Sequence, residues 1–486
     1  MKLWKLLSET NIECPQGLAE KEITGIAYDS RQVKKDNIFI CIKGYDTDGH
    51  KYAADAVLKG AAILISEKKL NTLRVPVLIA QDTRKTLSKI SANFFDHPTK
   101  EITIYGITGT NGKTTITYMI KSIFDAASES CGILGTIAYK FGDKVYESVN
   151  TTPESLELQR LFSEMRQEGI ENCVMEVSSH SLALSRTADI CFDYSVFTNL
   201  TPDHMDFHEN LDDYFISKKK LFYQTDKASS INIDDIYGKR LFEELLGNQI
   251  STFSHSLKNK EADYYGEILS STEKGSEVHL FKMGQSLGTF KVRTPGMFSI
   301  YNALATASIC MIAGMEFRQI EKGLEALKGV PGRFEPVENA KDMTVIVDYA
   351  HTPDALEKVL KTALGFKRGR LICVFGCGGD RDTKKRPMMG KVAGELSDYC
   401  IITSDNPRTE DQATITADIE SGIYDTGCVY EIIENRYEAI KKAISLYRKG
   451  DILIIAGKGH EDYQIIGTVK SHFDDREVVR EIIESK

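Results

Sequence analysis

A chain of 486 residues has room for about three domains at roughly 150 residues each. Its 42% hydrophobic and 27% charged content is ordinary for a soluble globular protein. The net charge of −9 argues against general affinity for nucleic acid or anionic membrane, and no apolar run approaches the roughly 20 residues that a membrane span needs.

The chain opens on Met1-Lys-Leu-Trp-Lys-Leu-Leu7, an amphipathic stretch followed at once by Ser8-Glu9-Thr10. It lacks the apolar core of a signal peptide, so a cytoplasmic protein is expected. The ten cysteines are scattered, several inside apolar runs such as Leu371-Ile-Cys-Val-Phe375, and read as buried reduced thiols. Cys373 and Cys377 have no second pair at matching spacing, so a zinc site is not expected.

In chain order, Ile38-Phe-Ile-Cys-Ile42 and Ala62-Ile-Leu-Ile65 read as buried strands, and Phe95-Asp-His-Pro-Thr-Lys100 as a linker. An apolar run, Ile102-Thr-Ile-Tyr-Gly-Ile107, then leads into Thr108-Gly-Thr-Asn-Gly-Lys-Thr-Thr115. A strand entering a glycine loop and then a helix turns backbone N–H groups inward over a helix N-terminus, which suits phosphate. Lys113 can reach the outer phosphates and the Thr114 hydroxyl can ligate Mg²⁺. The general phosphate-loop pattern wants Gly at position 107, where this chain has Ile107.

Strands are expected at 173–177 and 194–198, and 263–293 carries shorter alternating runs that suggest an antiparallel insertion. After Pro331-Gly332 the pattern repeats strand, helix, strand: 345–347, 353–364, 371–375, 386–396, 399–403, 412–421 and 452–455. Such alternation with short connections predicts parallel sheets with helices on both faces, an α/β fold.

Chemistry gathers at predicted strand ends, where an α/β sheet presents its ligand crevice. Glu176 closes one strand ahead of Ser178-Ser-His180 and can hold Mg²⁺ beside phosphates. Thr198 to His208 packs two Asp and two His into eleven residues, which suits metal or phosphate chemistry as well as a plain turn-rich loop. A helix follows with three lysines in a row, Lys218 to Lys220, and local spacing singles out none of them. Gly376-Cys-Gly-Gly-Asp-Arg-Asp382, Ser404-Asp-Asn-Pro-Arg-Thr409 and Ala456-Gly-Lys-Gly-His-Glu461 follow three successive strands. They make one crevice with both charge signs, suited to a zwitterion such as an amino acid.

These residues resemble the Mur ligases over nearly the whole chain. The resemblance rests on Tyr28-Asp-Ser-Arg31, Gly109 to Thr115, Asn150-Thr-Thr152, Glu176-Val-Ser-Ser-His180, Asp203-His204, Tyr301-Asn302-Ala-Leu-Ala, Gly332-Arg-Phe-Glu335, Asp348-Tyr-Ala-His-Thr-Pro353, Asp405-Asn-Pro-Arg408 and Gly457-Lys-Gly-His-Glu461. Ser299 departs from the family, which commonly has Asn there. The family's phosphate loop has its own form, which accommodates Ile107.

The resemblance implies three α/β domains: a smaller UDP-sugar-binding domain at 1–98, a central phosphate-loop ATPase with a mostly parallel sheet at 99–331, and a Rossmann-like amino-acid-binding domain at 332–486. It implies a monomer acting on small molecules, with ATP and Mg²⁺. ATP phosphorylates a D-glutamyl carboxylate, and the amine of the next amino acid displaces the phosphate. Carried over, Gly109, Thr110, Asn111, Gly112, Lys113, Thr114, Thr115, Asn302, Arg333 and Asp348 bind ATP. Thr114, Glu176, His204 and a carbamylated Lys218 hold metal; Lys113, Lys218, His204 and Glu176 carry catalysis. Ser30, Asn150, Thr151, Thr152, Ser178 and Arg186 bind the UDP-sugar peptide. Arg381, Asp405, Asn406, Pro407, Arg408, Gly457 and Glu461 bind the amino acid. Arg408 resembles the form that takes meso-diaminopimelate, whose distal carboxylate a guanidinium can grip by two hydrogen bonds; L-lysine presents an ammonium there. L-lysine, a folylpolyglutamate-type ligase and a non-catalytic nucleotide-binding scaffold are the alternatives.

Overall fold

The computed structural model describes residues 1–44, 47–70 and 74–485. The chain gathers into two compact units: Met1–Thr108 with Glu129–Ser195 and Ser217–Ala228, and Gly109–Ser128 with Val196–Ile216 and everything from Ser229 on.

The first unit opens on a four-stranded parallel sheet, β1 (Gly25–Ala27), β2 (Asn37–Ile40), β3 (Ala61–Ser66) and β4 (Val77–Ile79), paired in that order. Successive side chains of a strand point to opposite faces. Ile38, Ile40, Ile63 and Ile65 therefore pack with Leu3 and Leu87 on one face, while Phe39 and Leu64 pack with Ala53 and Ala56 on the other. Burial on both faces is why these strands read as unbroken apolar runs rather than alternating ones.

The same unit holds β5 (Thr103–Thr108), β6 (Cys131–Leu134), β7 (Ala138–Phe141), β8 (Lys144–Glu147), β9 (Asn172–Glu176) and the start of β10 (Phe192–Phe197). β9 pairs in parallel with β5 on one side and β6 on the other, and β6, β7 and β8 continue as an antiparallel meander. Ile107 pairs with Glu176, so the end of β5 lies beside the acidic end of β9.

In the second unit the end of β11 (Thr225–Asn232), β12 (Thr252–Ser256) and β13 (Tyr264–Thr272) pair in parallel. β13, β14 (Gly275–Lys282) and β15 (Gln285–Val292) then form the antiparallel insertion that 263–293 suggests. The last sheet runs β16-β17-β21-β18-β19-β20, with β16 (Glu335–Pro336), β17 (Thr344–Asp348), β18 (Leu371–Phe375), β19 (Tyr399–Ile402), β20 (Val429–Ile432) and β21 (Ile452–Ala456). Only the short β16 is antiparallel to its neighbour. Helices cover both faces: Leu356, Leu360 and Ile419 pack on Phe375 and Ile454, and Ile440 and Val479 pack on Val374 and Ile455. The helix Pro353–Leu364 starts where Thr352 accepts the Ala355 N–H and Pro353 fills the first turn. A hairpin, β22 (Tyr463–Ile466) and β23 (Val469–His472), follows β21. None of the described helices is long and apolar enough to cross a membrane, and the ten cysteines are free thiols.

Candidate functional site

Within the second unit the loop Gly109–Gly112 enters the helix Lys113–Ala126 with Gly112 in the left-handed region, φ 93°. A Cβ there would strike Asn302 Oδ1, so only glycine lets the helix start approach Asn302. The loop is braced by the segment after β10. Thr110 N–H donates to Asn199 O at 2.9 Å and Asn111 N–H to Asn199 Oδ1 at 3.0 Å. Thr198 Oγ1 donates to Asn111 O at 2.6 Å, and Thr201 N–H to Thr110 Oγ1 at 3.0 Å. Thr198, Asn199 and Thr201 of the Thr198–His208 run thus shape the phosphate loop.

Lys113 Nζ donates to Gly109 O and Thr110 O, at 2.9 and 2.8 Å, which lays the ammonium over the loop. Arg333 Nη2 donates to Thr114 Oγ1 at 2.9 Å, and its guanidinium lies 4.8 Å from the Tyr349 ring centre. Arg333 Nε is buried with no hydrogen-bond partner among the described residues. Asp348 accepts from Phe334 N–H at 2.6 Å and Ala350 N–H at 2.7 Å. Burial pushes its carboxyl up to about 6, against the pull of Arg333 and these two N–H groups. Loop amides, a helix N-terminus, Lys113 and Arg333 all offer positive potential to one space, so the residues fit a nucleotide's phosphates.

Beyond the bracing segment, Asp203 and His204 pair at 3.4 Å, with His204 at φ 57°. A left-handed residue of this size is strained, which recurs at functional positions. Burial acts to raise the Asp203 carboxyl, but His204, His351, Lys385 and Lys113 together hold it below its ordinary value. Burial pushes His351 down to about 4, helped by Lys385, so it is neutral at pH 7.

In the first unit Glu176 is 1% exposed. Its Oε1 accepts the Thr136 N–H at 2.8 Å and its Oε2 the Thr136 hydroxyl at 3.0 Å, while Thr136 Oγ1 lies 3.1 Å from Thr151 Oγ1. Thr152 Oγ1 donates to Glu176 O at 2.8 Å and accepts from Ser178 N–H at 3.0 Å. Arg186 donates to Thr152 O at 3.0 Å and pairs with Glu154 at 2.8 Å. One network therefore gathers Thr151, Thr152, Ser178 and Arg186 around Glu176. Asn150 is exposed next to it. Ser30 is buried in the turn Ser30–Gln32, where it helps hold the Asp55 carboxyl below its ordinary value. Lys218 is 1% exposed on the helix Leu211–Tyr223. Lys220 is exposed, and Lys219 is half-buried with its ammonium 5.8 Å from the Tyr223 ring. Burial distinguishes the three lysines where sequence spacing does not.

The ends of β18, β19 and β21 form the second site of the second unit. Arg408, at φ 53°, donates from Nη1 to Gly379 O at 2.8 Å. Its backbone is pinned by Ile465 O at 3.1 Å and Gly467 N–H at 2.6 Å, both from the β22–β23 hairpin. Asn406 Nδ2 donates to Glu461 Oε2 at 2.8 Å. Gly457, at φ 112°, sits so close to Asp405 that a Cβ would lie 2.5 Å from Oδ2. Gln464 Nε2 donates to Asp405 O at 2.8 Å. Arg381 donates to Asp380 O at 2.9 Å on the adjacent loop. Asp405, Asn406, Pro407, Arg408, Gly457 and Glu461 are thus brought together.

Three contributors lie outside the sequence reading. Asp354 accepts from Asn111 and Thr201; Asn199 braces the glycine loop; Lys458 is buried between Asn406 and Glu461. Asp354 reads as an ordinary acid in the first turn of a helix, and Lys458 stands between two glycines, where a solvated side chain is the usual reading.

A glycine loop over a helix N-terminus and a charged crevice at the strand ends of a Rossmann-like sheet define an α/β phosphate-binding protein with a second, zwitterion-suited site. Models of the Mur ligase family match in three consecutive stretches: the Mur ligase family catalytic domain at 22–95, the middle domain at 107–310 and the glutamate ligase domain at 332–459. The chain is 46% identical to UDP-N-acetylmuramoyl-L-alanyl-D-glutamate--2,6-diaminopimelate ligase of Clostridioides difficile (strain 630), over 99% of both chains. It is 48% identical to the ligase of the same name from Clostridium botulinum (strain ATCC 19397 / Type A), over 96% of both. A solved structure of a ligase of that name aligns at TM-score 0.71 and 32% identity, over 100% of this chain and 99% of the other. The chain belongs to the Mur ligase family.

Proposed function

We propose that the protein joins meso-diaminopimelate to the D-glutamyl carboxylate of UDP-N-acetylmuramoyl-L-alanyl-D-glutamate, at the expense of ATP, in cytoplasmic peptidoglycan precursor synthesis. The observation that carries this reading is the crevice in which Arg408, held at 2.8 Å by Gly379 O, and Glu461, held at 2.8 Å by Asn406, belong to one cluster. A cation and a carboxylate there match the carboxylate and ammonium of diaminopimelate's distal end. L-lysine has only the ammonium, which Arg408 repels.

A carboxylate is a poor acyl donor. Its oxygen attacks the terminal phosphorus of ATP, ADP departs, and the acyl phosphate so formed has a good leaving group. The amine lone pair then attacks the acyl carbon, phosphate leaves, and the amine loses a proton as the amide forms. Lys113, Arg333 and the loop amides supply positive charge to the phosphoryl group in transit. On this reading Asn302, which meets Gly112 of the loop, takes the adenine and Asp348 takes the ribose.

The proposed magnesium ligands are Thr114, Glu176, His204 and a carbamylated Lys218. Their chemistry suits a divalent cation: hydroxyl and carboxylate oxygens, an imidazole, and a buried lysine whose carbamate would add two oxygens. A magnesium ion held by these residues would supply charge neutralisation for the phosphates. Ser30, Asn150, Thr151, Thr152, Ser178 and Arg186 take the UDP-sugar peptide. On this reading the domains are 1–98, 99–331 and 332–486.

The test is mass spectrometry of the product from ATP, UDP-N-acetylmuramoyl-L-alanyl-D-glutamate and meso-diaminopimelate. The expected product is the tripeptide conjugate, with one ADP and one phosphate per amide. Phosphate release without a new conjugate, or a conjugate only with another amino acid, contradicts the proposal.

A further inference from the structure

Lys458 lies at the centre of the amino-acid crevice and is 0% exposed. Its Nζ is 3.2 Å from Glu461 Oε2 and 3.3 Å from Asn406 Oδ1, with the Tyr463 ring centre at 5.4 Å. Asn406 Nδ2 donates to the same Glu461 oxygen at 2.8 Å, which closes a triangle of three side chains. Asn406 Oδ1 also accepts the Ile465 N–H at 2.9 Å, so the amide orientation is locked from both sides.

An ammonium leaves water at high cost unless it is paired and hydrogen-bonded. An apolar chain could not offer an ammonium to the Glu461 carboxylate and the Asn406 amide oxygen. Burial, and after it Asp405, lift the Glu461 carboxyl above its ordinary value, against the pull of Lys458 and Asn406. The other charged or titratable groups that act on or face this carboxylate are Tyr463, Tyr349 and Arg436. Lys458 is the cation in direct contact.

We propose that Lys458 is a positioning residue for the incoming amino acid: it holds Glu461 ionised and in one orientation, and turns Asn406 so that its amide supports the same carboxylate. This rests on the reading above that the crevice takes the amino-acid substrate. The substrate ammonium then meets a preformed carboxylate, and no reorganisation is left for the binding step.

The test compares Lys458→Met, close in volume and uncharged, with Lys458→Arg, which keeps the charge. In Lys458→Met the KM for the amino acid should rise about tenfold while the KM for ATP stays within about twofold, the size of one lost charge-assisted contact. Without its cation, Glu461 takes up a proton more readily. The acid limb of kcat/KM for the amino acid should therefore move up by about one pH unit in Lys458→Met and stay in place in Lys458→Arg. A merely structural lysine would move stability and leave that limb alone. If Lys458→Met does not fold, Lys458→Gln reads the same limb with a hydrogen-bonding side chain. An acid limb that does not move in the neutral variant overturns the proposal. The amino acid used is whichever the wild type consumes. A wild type that turns over another amino acid therefore contradicts the proposed function and still leaves the Lys458 comparison decisive.

Discussion

Asn111 Nδ2 donates to Asp354 Oδ2 at 2.7 Å, joining the phosphate loop to the first turn of the helix Pro353–Leu364. The same carboxylate oxygen accepts from Thr201 Oγ1 at 3.1 Å and from Lys358 Nζ at 2.7 Å. One acid therefore holds the glycine loop, the segment that braces it and the helix that follows β17.

If that junction sets the loop's shape, Asp354→Ala and Asn111→Ala should each raise the KM for ATP, by about three- to tenfold, the range of a partly exposed hydrogen bond to a charged group. The double variant should be little worse than either single one, because the two residues share one interaction. Steady-state kinetics of the four proteins measure the coupling. Additive losses would mean that the two side chains act separately.

Lys218 should be far more sensitive than its neighbours. Lys218→Ala is expected to be nearly inactive, with partial recovery on adding short carboxylates that replace the anion of a carbamylated lysine. Lys219→Ala and Lys220→Ala should be mild, since neither side chain is fully buried. Turnover of the three variants with and without acetate is the check. A large loss at Lys219 with none at Lys218 would put the modified lysine elsewhere.

Asp348 sets a pH dependence whose two consequences run in opposite directions. Burial raises its carboxyl from an ordinary 3.8 to about 6, so the folded protein binds a proton there more readily than the unfolded chain. The contribution of this group to stability therefore improves as pH falls through 6 and is least favourable above it. Activity should do the reverse. Below pH 6 the protonated acid can no longer accept fully from both Phe334 and Ala350, and the turn carrying Arg333 loosens. kcat/KM for ATP should show an acid limb near pH 6, and thermal stability should not fall in step with it. Asp348→Asn should be slow at all pH values and lack the limb. A limb that persists in that variant belongs to another group.

Much of the nucleotide loop is legible in the sequence because its signals are local. An apolar strand, two glycines and Lys-Thr-Thr lie within fourteen residues, and the helix starts at Lys113 as that pattern requires. The helix expected at 353–364 is observed at Pro353–Leu364, its start marked by Thr and Pro. What sequence misses is tertiary. Asn111 and Asp354 are 243 positions apart, and neither residue type announces the other. Lys218 stands among three lysines, and only packing from other elements buries it. Lys458, between two glycines at a strand end, is buried against Asn406 and Glu461, with the ring of Tyr463 from the β22–β23 hairpin beside it. Partners set by chain return leave no periodic signal.

The most direct measurement is kcat/KM for meso-diaminopimelate and for L-lysine, in wild type and in Arg408→Ala, with UDP-N-acetylmuramoyl-L-alanyl-D-glutamate and ATP. The wild type should prefer diaminopimelate strongly. Arg408→Ala should lose about ten- to a hundredfold with diaminopimelate, the value of one or two charge-assisted hydrogen bonds, while the KM for ATP stays almost unchanged. Discrimination against lysine should weaken, since part of it is repulsion by the guanidinium. Arg381 and Glu461 remain, so the variant should not become an efficient lysine ligase. A wild type that prefers lysine, or an Arg408→Ala variant that keeps its diaminopimelate KM, would contradict the assignment of Arg408 to the distal carboxylate and with it the proposed substrate.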